Sequence, residues 1–282
     1  MKPLLCVAFL CGLLSSLVFA QSLRQPLSAL YPPSSAYSLY QHDVFSFMSN
    51  PASLAFTRKF SAGVYGERRF LLAELGVCHV AAAIPMGWGA LGTYARYAGF
   101  SGYQETSLGI AYSRRLGEKA ALGLQFNRVD FGVPGVVRDA AVFAELGALL
   151  RVAPRLTVGL HVQNPAGGFF ARSDARLPST FKLGMGFDAS EKFHVNAELL
   201  KESDLPVALL AAFQYQFHQR FFIRAGINTV VGSGFMGFGL AWSGLRADVT
   251  GSLHPQLGFS PGFMLVSFPG NKSTNNPKVI QP

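Results

Sequence analysis

The chain has 282 residues, of which 50% are hydrophobic and only 14% charged, with a net charge of +9. Charged cover that thin, against about 25% in ordinary globular domains, argues against a broad soluble surface, and the length with no linker-like stretch fits a single domain. The positive balance does not point to nucleic acid, because no basic run exceeds two residues and the chain begins with an export signal.

Residues 1–20 read as a secretory signal, with Lys2 as the charged start, Leu4 to Val18 as the apolar core and Val18, Phe19 and Ala20 as the cleavage site before Gln21. That core is too short and too close to its cleavage site for a spanning helix, and no run of about 18 apolar residues follows it. If the mature chain crosses a membrane, strands carry it. Cys6 and Cys11 leave with the signal, so Cys78 remains without an internal disulfide partner.

Residues 21–59 form an irregular segment with Pro26, Pro32 and Pro33 and no sustained period, expected to be extended or coiled. It ends in Asn50, Pro51 and Ala52 just ahead of the first strand. From there apolar residues alternate with small or polar ones, and the pattern predicts 14 strands: 60–67, 73–84, 88–98, 104–115, 118–130, 139–152, 155–163, 179–188, 192–200, 206–217, 219–228, 234–243, 245–253 and 257–268. Residues 269–282 are left as a tail.

The stretch 106–126 shows the rule most plainly. Leu108, Ile110, Tyr112, Leu122, Leu124 and Phe126 alternate with Ser107, Gly109, Ala111, Ala121, Gly123 and Gln125. A period of two puts these sets on opposite faces of a sheet. In a soluble sandwich the bulky face meets a second sheet; in a transmembrane barrel it meets lipid while the slim face looks into the lumen. The thin charge cover, the even strand number and the alternation of short with longer turns favour an all-β, 14-stranded antiparallel transmembrane β-barrel with an N-terminal plug-like segment. Short turns near Met86, Gly117, Pro154, Ser190, His218 and Gly244 are assigned to the periplasmic rim. Longer connections are expected at 67–73, 98–104, 131–138, 164–178, 200–206, 228–234 and 253–257. A secreted soluble all-β binding or structural protein is the alternative.

With these features the chain resembles the FadL and PorV group of outer-membrane barrels. The carriers are the signal, Asn50-Pro51-Ala52 before the first strand, the fourteen strands and the closing stretch from Leu257 to Leu265; Leu160 to Pro165 is similar to PorV-type proteins of Bacteroidetes. The resemblance implies an N-terminal hatch built on Asn50, Pro51 and Ala52. It also implies either a plugged channel for small hydrophobic compounds or a barrel associated with type IX secretion, with outer-membrane lipid and a hydrophobic cargo or secretion proteins as partners.

Enzymatic motifs are weak. Gly232-Ser233-Gly234-Phe235-Met236-Gly237 matches a dinucleotide pattern but opens a strand where a helix is required, and no GxSxG stretch occurs. No two histidines stand at HxxxH spacing, and Cys78 and His79 point to opposite faces. The chain is therefore read as a non-enzyme without cofactor or metal. Candidate lumen polar residues are Glu74, Arg96, Glu145, Lys182, His194, Asn196, Glu198, Arg224, Arg246 and Asp248, with His194, Asn196 and Glu198 expected to form one hydrogen-bonded cluster. Arginine in place of Gly184 is expected to be tolerated if the lumen has room. Pro261 is expected to form a bulge in the wall near the seam between last and first strands.

Overall fold

Side chains along the strands segregate by face: the bulky apolar residues mostly stand exposed and small or polar ones are buried, with Tyr65, Tyr94, Phe222, Phe235 and Met264 among the bulky residues that turn inward. The computed structural model describes residues 33–267 apart from 134, 136, 168–170, 172–176, 204, 230 and 231. The expected signal at 1–20, the first part of the irregular segment and the tail at 269–282 lie outside the described residues.

Among the described residues, fourteen strands close into one antiparallel barrel in sequence order. They are β1 (Ser61–Arg68), β2 (Gly76–Met86), β3 (Gly89–Phe100), β4 (Tyr103–Leu116), β5 (Ala120–Val133), β6 (Val137–Ala153), β7 (Leu156–Gln163), β8 (Thr180–Asp188), β9 (Phe193–Glu202), β10 (Ala208–Tyr215), β11 (Phe221–Asn228), β12 (Ser233–Trp242), β13 (Leu245–His254) and β14 (Gly258–Ser267). Closure removes the sheet edges, so backbone groups within an apolar medium find partners in the wall itself. Leu108, Ile110, Leu122 and Phe126 face outward, and Ser107, Ala111, Ala121 and Gln125 face the interior. Phe181, Leu183, Met185 and Phe187 on β8 are likewise exposed.

Two of the longer connections expected from sequence are absent. β3 and β4 are separated only by Ser101 and Gly102, and β5 and β6 by three residues, because these strands run on to 12, 14, 14 and 17 residues. Gly99 permits the tight β3–β4 return: its φ is 125°, and a Cβ there would strike the carbonyl oxygen of Tyr103. The wall is therefore taller over β3–β6 than over β7, which has 8 residues. β6 meets β7 only from Glu145 onward, so its first half pairs with β5 alone.

The seam between β1 and β14 is paired from Ala62 opposite Ser267 to Glu67 opposite Gly262. Pro261 makes no bulge. The β13–β14 register runs unbroken past it from His254 opposite Gly258 to Leu245 opposite Ser267. The proline stands where the ladder to β1 has ended, so its missing N–H removes no bond from that ladder. Beyond this point the turn Arg69–Leu71 lies beside β14, and the Phe70 N–H donates to Ser260 Oγ at 2.9 Å. A register shift does occur elsewhere, on β6 between Arg151 and Ala153.

The irregular segment is a run of short helical turns rather than extended chain: a 3-10 turn at Pro33–Tyr37, one α-turn, α1 (Ser46–Ser49), and a second 3-10 turn at Pro51–Phe56. Turns of four to six residues are too brief to impress a helical period on the sequence. Val44, Phe45, Phe47, Met48 and Leu54 from this segment form a buried cluster with Tyr65, Ala81, Ala90, Ala111 and Met264 of the wall. Tyr37 and Ala52 form another with Ala121 and Leu149.

Candidate functional site in the barrel lumen

The short helical turns sit in the lumen because the sequence leaves a hollow there and supplies matched contacts to fill it. Asn50 has an extended backbone, and its Oδ1 accepts from the Ala52 N–H at 3.0 Å, capping the 3-10 turn that Pro51 opens. The other end of the same amide turns to the wall, where Nδ2 donates to the Leu160 carbonyl at 3.1 Å. Ser113 Oγ on β4 donates to the Ala52 carbonyl at 3.1 Å. The facing wall has to be bare. A Cβ on Gly147 would lie 2.2 Å from Asn50 Oδ1, and one on Gly123 would lie 2.3 Å from the Pro51 carbonyl carbon.

Three polar ties hold the rest of the segment. Arg246 Nη2 on β13 donates to Asp43 Oδ2 at 2.7 Å and to Asp248 Oδ2 at 3.0 Å, and Arg224 Nη2 on β11 donates to the same Asp248 oxygen at 2.8 Å. Both guanidinium carbons stand 5.2 Å from the centre of the Phe222 ring. Two arginines and two aspartates share one buried network. A second tie is Asp188 on β8, whose carboxylate accepts from Ser38 Oγ at 2.6 Å and the Leu39 N–H at 3.1 Å and shares a 2.9 Å hydrogen bond with His194 Nδ1. The third runs from the Tyr37 hydroxyl to Glu198 Oε2 at 2.7 Å, with Lys182 Nζ 3.8 Å from the other Glu198 oxygen. Burial and the neighbouring Glu198 carboxylate raise the Tyr37 phenol well above its ordinary pKa, so it stays a donor.

A further polar layer lines β3 to β7. Arg96 pairs with Glu105 across the β3–β4 hairpin. The Tyr94 hydroxyl and Gln125 Nε2 each donate to Asn127 Oδ1 at 2.9 Å, Asn127 Nδ2 donates to Glu145 Oε1 at 2.9 Å, and His161 Nε2 lies 2.9 Å from Glu145 Oε2. His79 is fully buried, with its ring 5.9 Å from that of Tyr65, while its neighbour Cys78 faces out.

Of the residues expected from sequence, Asn50, Pro51 and Ala52 lie in the lumen. Arg96, Glu145, Lys182, His194, Asn196, Glu198, Arg224, Arg246 and Asp248 line its wall. Glu74 does not: it is exposed on the 3-10 turn Ala73–Leu75, because β2 begins only at Gly76. His194, Asn196 and Glu198 share a face but do not bond to one another. Alternate residues on a strand stand roughly 7 Å apart, and each finds a cross-strand or lumen neighbour first, except Asn196, whose side chain makes no hydrogen bond among the described residues. Gly184 has no free room either, since a Cβ there would lie 2.2 Å from the Tyr37 ring. Sequence reading missed Tyr37, Ser38, Asp43, Glu105, Asn127, His161 and Asp188. Asp188 and Asn127 sit in slim-face positions of their strands and carried a usable signal; Asp43 lies in a segment without a period and carried none.

The outer wall carries a separate feature. An apolar hollow of about 520 Å³ opens on the outside of β4–β7, lined by Tyr112, Arg114, Leu116, Leu122, Leu124, Leu146, Ala148, Leu160 and Val162, with the backbones of Gly123 and Gly147 as its floor. Ala148 stands in register between Leu122 and Leu160, and its short side chain leaves the depression.

No family model matches the sequence, and no curated protein matches it. The fold is similar to that of the Pseudomonas putida toluene transporter TodX, with a TM-score of 0.63 at 10% identity over 86% of this chain and 96% of that one. It is also similar to a Pseudomonas aeruginosa FadL homologue, with a TM-score of 0.55 at 13% identity over 85% of this chain and 94% of the other. The likeness is one of fold: a closed barrel of the kind found in outer membranes.

Proposed function

We propose that the chain is a non-enzymatic outer-membrane channel, exported by its signal peptide, whose residues 21–59 serve as a hatch, and that small hydrophobic compounds pass when the hatch yields. The observation that carries this reading is the manner in which residues 35–56 are held. Most of them are buried in the lumen, where Asp43, Ser38, Tyr37 and Asn50 are tied through discrete hydrogen bonds to Arg246, Asp188, Glu198 and the Leu160 carbonyl, beside a wall kept bare by Gly123, Gly147 and Gly184. A segment fixed this way can undock without dismantling the barrel. The fold likeness to a toluene transporter and to a FadL homologue supports the same cargo class. In this reading the short-turn rim and the chain ends face the periplasm.

Uptake across an outer membrane tests it. A Gram-negative host expressing the protein should take up radiolabelled long-chain fatty acid or toluene several-fold faster than the same host with an empty vector; equal rates overturn the channel. The second reading, a barrel serving type IX secretion, rests on the Leu160–Pro165 likeness. Capture of secretion proteins by a barrel that moves no hydrophobic compound would replace the first reading with it. Recovery of the protein from periplasm or medium without detergent would overturn both in favour of a soluble all-β module.

A further inference from the structure

The hollow on the outer wall of β4–β7 has a guanidinium in its lining. Its apolar lining comes from Leu122, Leu124, Leu146, Leu160 and Val162, and its β4 side is formed by Tyr112, Arg114 and Leu116. Trp88 and Tyr112 stand beside it with ring centres 5.1 Å apart, and the Tyr112 hydroxyl donates to the Trp88 carbonyl at 3.0 Å. Paired amphipathic aromatics of this kind sit at the headgroup level of a bilayer. Arg114 follows Tyr112 on the same outward face, one step nearer the turn Gly117–Lys119, and is exposed. Along β4 a cation, an aromatic and an aliphatic residue, Arg114, Tyr112 and Ile110, thus follow one another from the turn inward, and the register sets the trough alongside them, with Arg114 opposite Leu122 and Tyr112 opposite Leu124.

A cation beside an apolar trough is the pairing that a phospholipid's headgroup and chain require. We propose that the trough holds one acyl chain of an anionic phospholipid of the periplasmic leaflet, with its phosphate on Arg114. At about 520 Å³ the trough has the size of an ordinary ligand pocket. Ala148 keeps the centre open where leucines flank it on both sides. Arginine offers a planar fork suited to phosphate oxygens. The nearby turn residue Lys119 and the rim residue Arg155 are also exposed and add to the field that attracts an anion. The floor is shared with the hatch, since the lumen side of Gly123 and Gly147 touches Asn50, Pro51 and Ala52. The inference rests on the barrel's insertion in an outer membrane with its short-turn rim toward the periplasm, as proposed above, and not on what passes through its lumen.

Native mass spectrometry of the full mature chain, purified in mild detergent and offered phosphatidylglycerol or phosphatidylcholine, reads the site directly. The expected result is one retained phosphatidylglycerol per barrel, held in preference to phosphatidylcholine. Arg114→Gln should lower phosphatidylglycerol retention about fivefold, the effect of one cation near an anionic headgroup. Ala148→Phe should lower retention of both lipids by filling the trough. Arg220→Gln, at a short turn on another part of the rim, should change neither. Equal retention of the two lipids, no effect of either trough variant, or an equal effect of Arg220→Gln would each overturn the site. All variants should keep the slower gel migration after boiling that marks a folded barrel, which separates loss of the site from loss of fold. A barrel that holds detergent but no lipid removes this inference alone, whereas failed uptake of fatty acid or toluene leaves it standing.

Discussion

Asn50 caps its own turn with one end of its amide and grips β7 with the other, so Asn50→Ala removes both bonds at once. The expected cost is about 1–3 kcal/mol of hatch docking, read as faster hydrogen exchange over residues 35–56 with barrel strands unchanged. Gly147→Ala should act on the same contact from the wall, because its Cβ would displace Asn50 Oδ1. The two changes attack one interaction, so the double variant should exchange little faster than either single one; full additivity would show that Asn50 and Gly147 do not meet. Asn50 was legible in the sequence as a motif residue. Gly147 was not, since an alternating strand puts a small residue inside whether or not anything presses against it.

At the level of elements, the lumen segment and the wall meet through unequal partners. Asp43→Asn drops one charge but leaves Arg246 bonded to Asp248, whereas Arg246→Ala removes the guanidinium from which both Asp43 and Asp248 accept and leaves Arg224 bonded to Asp248. Removing one partner of a buried ion pair costs about 3–5 kcal/mol, so Arg246→Ala should open the hatch far more than Asp43→Asn. Single-channel conductance in planar bilayers checks this: frequent openings are expected for Arg246→Ala and rare ones for Asp43→Asn, and the reverse order would contradict the network. The strands were readable from alternation because each is 8 residues or longer. The hatch elements were not, because a 3-10 or α-turn of 4 to 6 residues buries its side chains by where the lumen places them and not by any period of its own. Glu74 failed for a related reason: alternation was extended back across the turn Ala73–Leu75, where it has no meaning.

For the molecule as a whole, charge networks lie inside beside apolar clusters, while most of the strands' leucines and phenylalanines stand outside, the reverse of a soluble protein's surface. Leu183→Arg, on the outer face of β8, should lower folding stability in liposomes by about 2–4 kcal/mol, whereas Leu253→Arg, next to the end of β13, should cost about 0–1 kcal/mol. Urea titration of both variants would show no difference if the outer face did not meet hydrocarbon. The closed barrel was legible because period-two alternation, strand number and turn alternation agree. The interior was legible only in sign: polar residues pointed inward, but their partners and the lack of room at Gly184 depended on the hatch folding back among them. The uneven wall leads to one more expectation. The first half of β6 has lost β7, and Asn164 and Ala171 lend their N–H groups to the Ala144 and Ala140 carbonyls while Leu177 packs against Ala141. The connection after β7 thus works as a selvedge that keeps raw cloth from catching. Trimmed away, it would leave eight residues of bare ribbon able to stitch to the same ribbon on a neighbouring molecule.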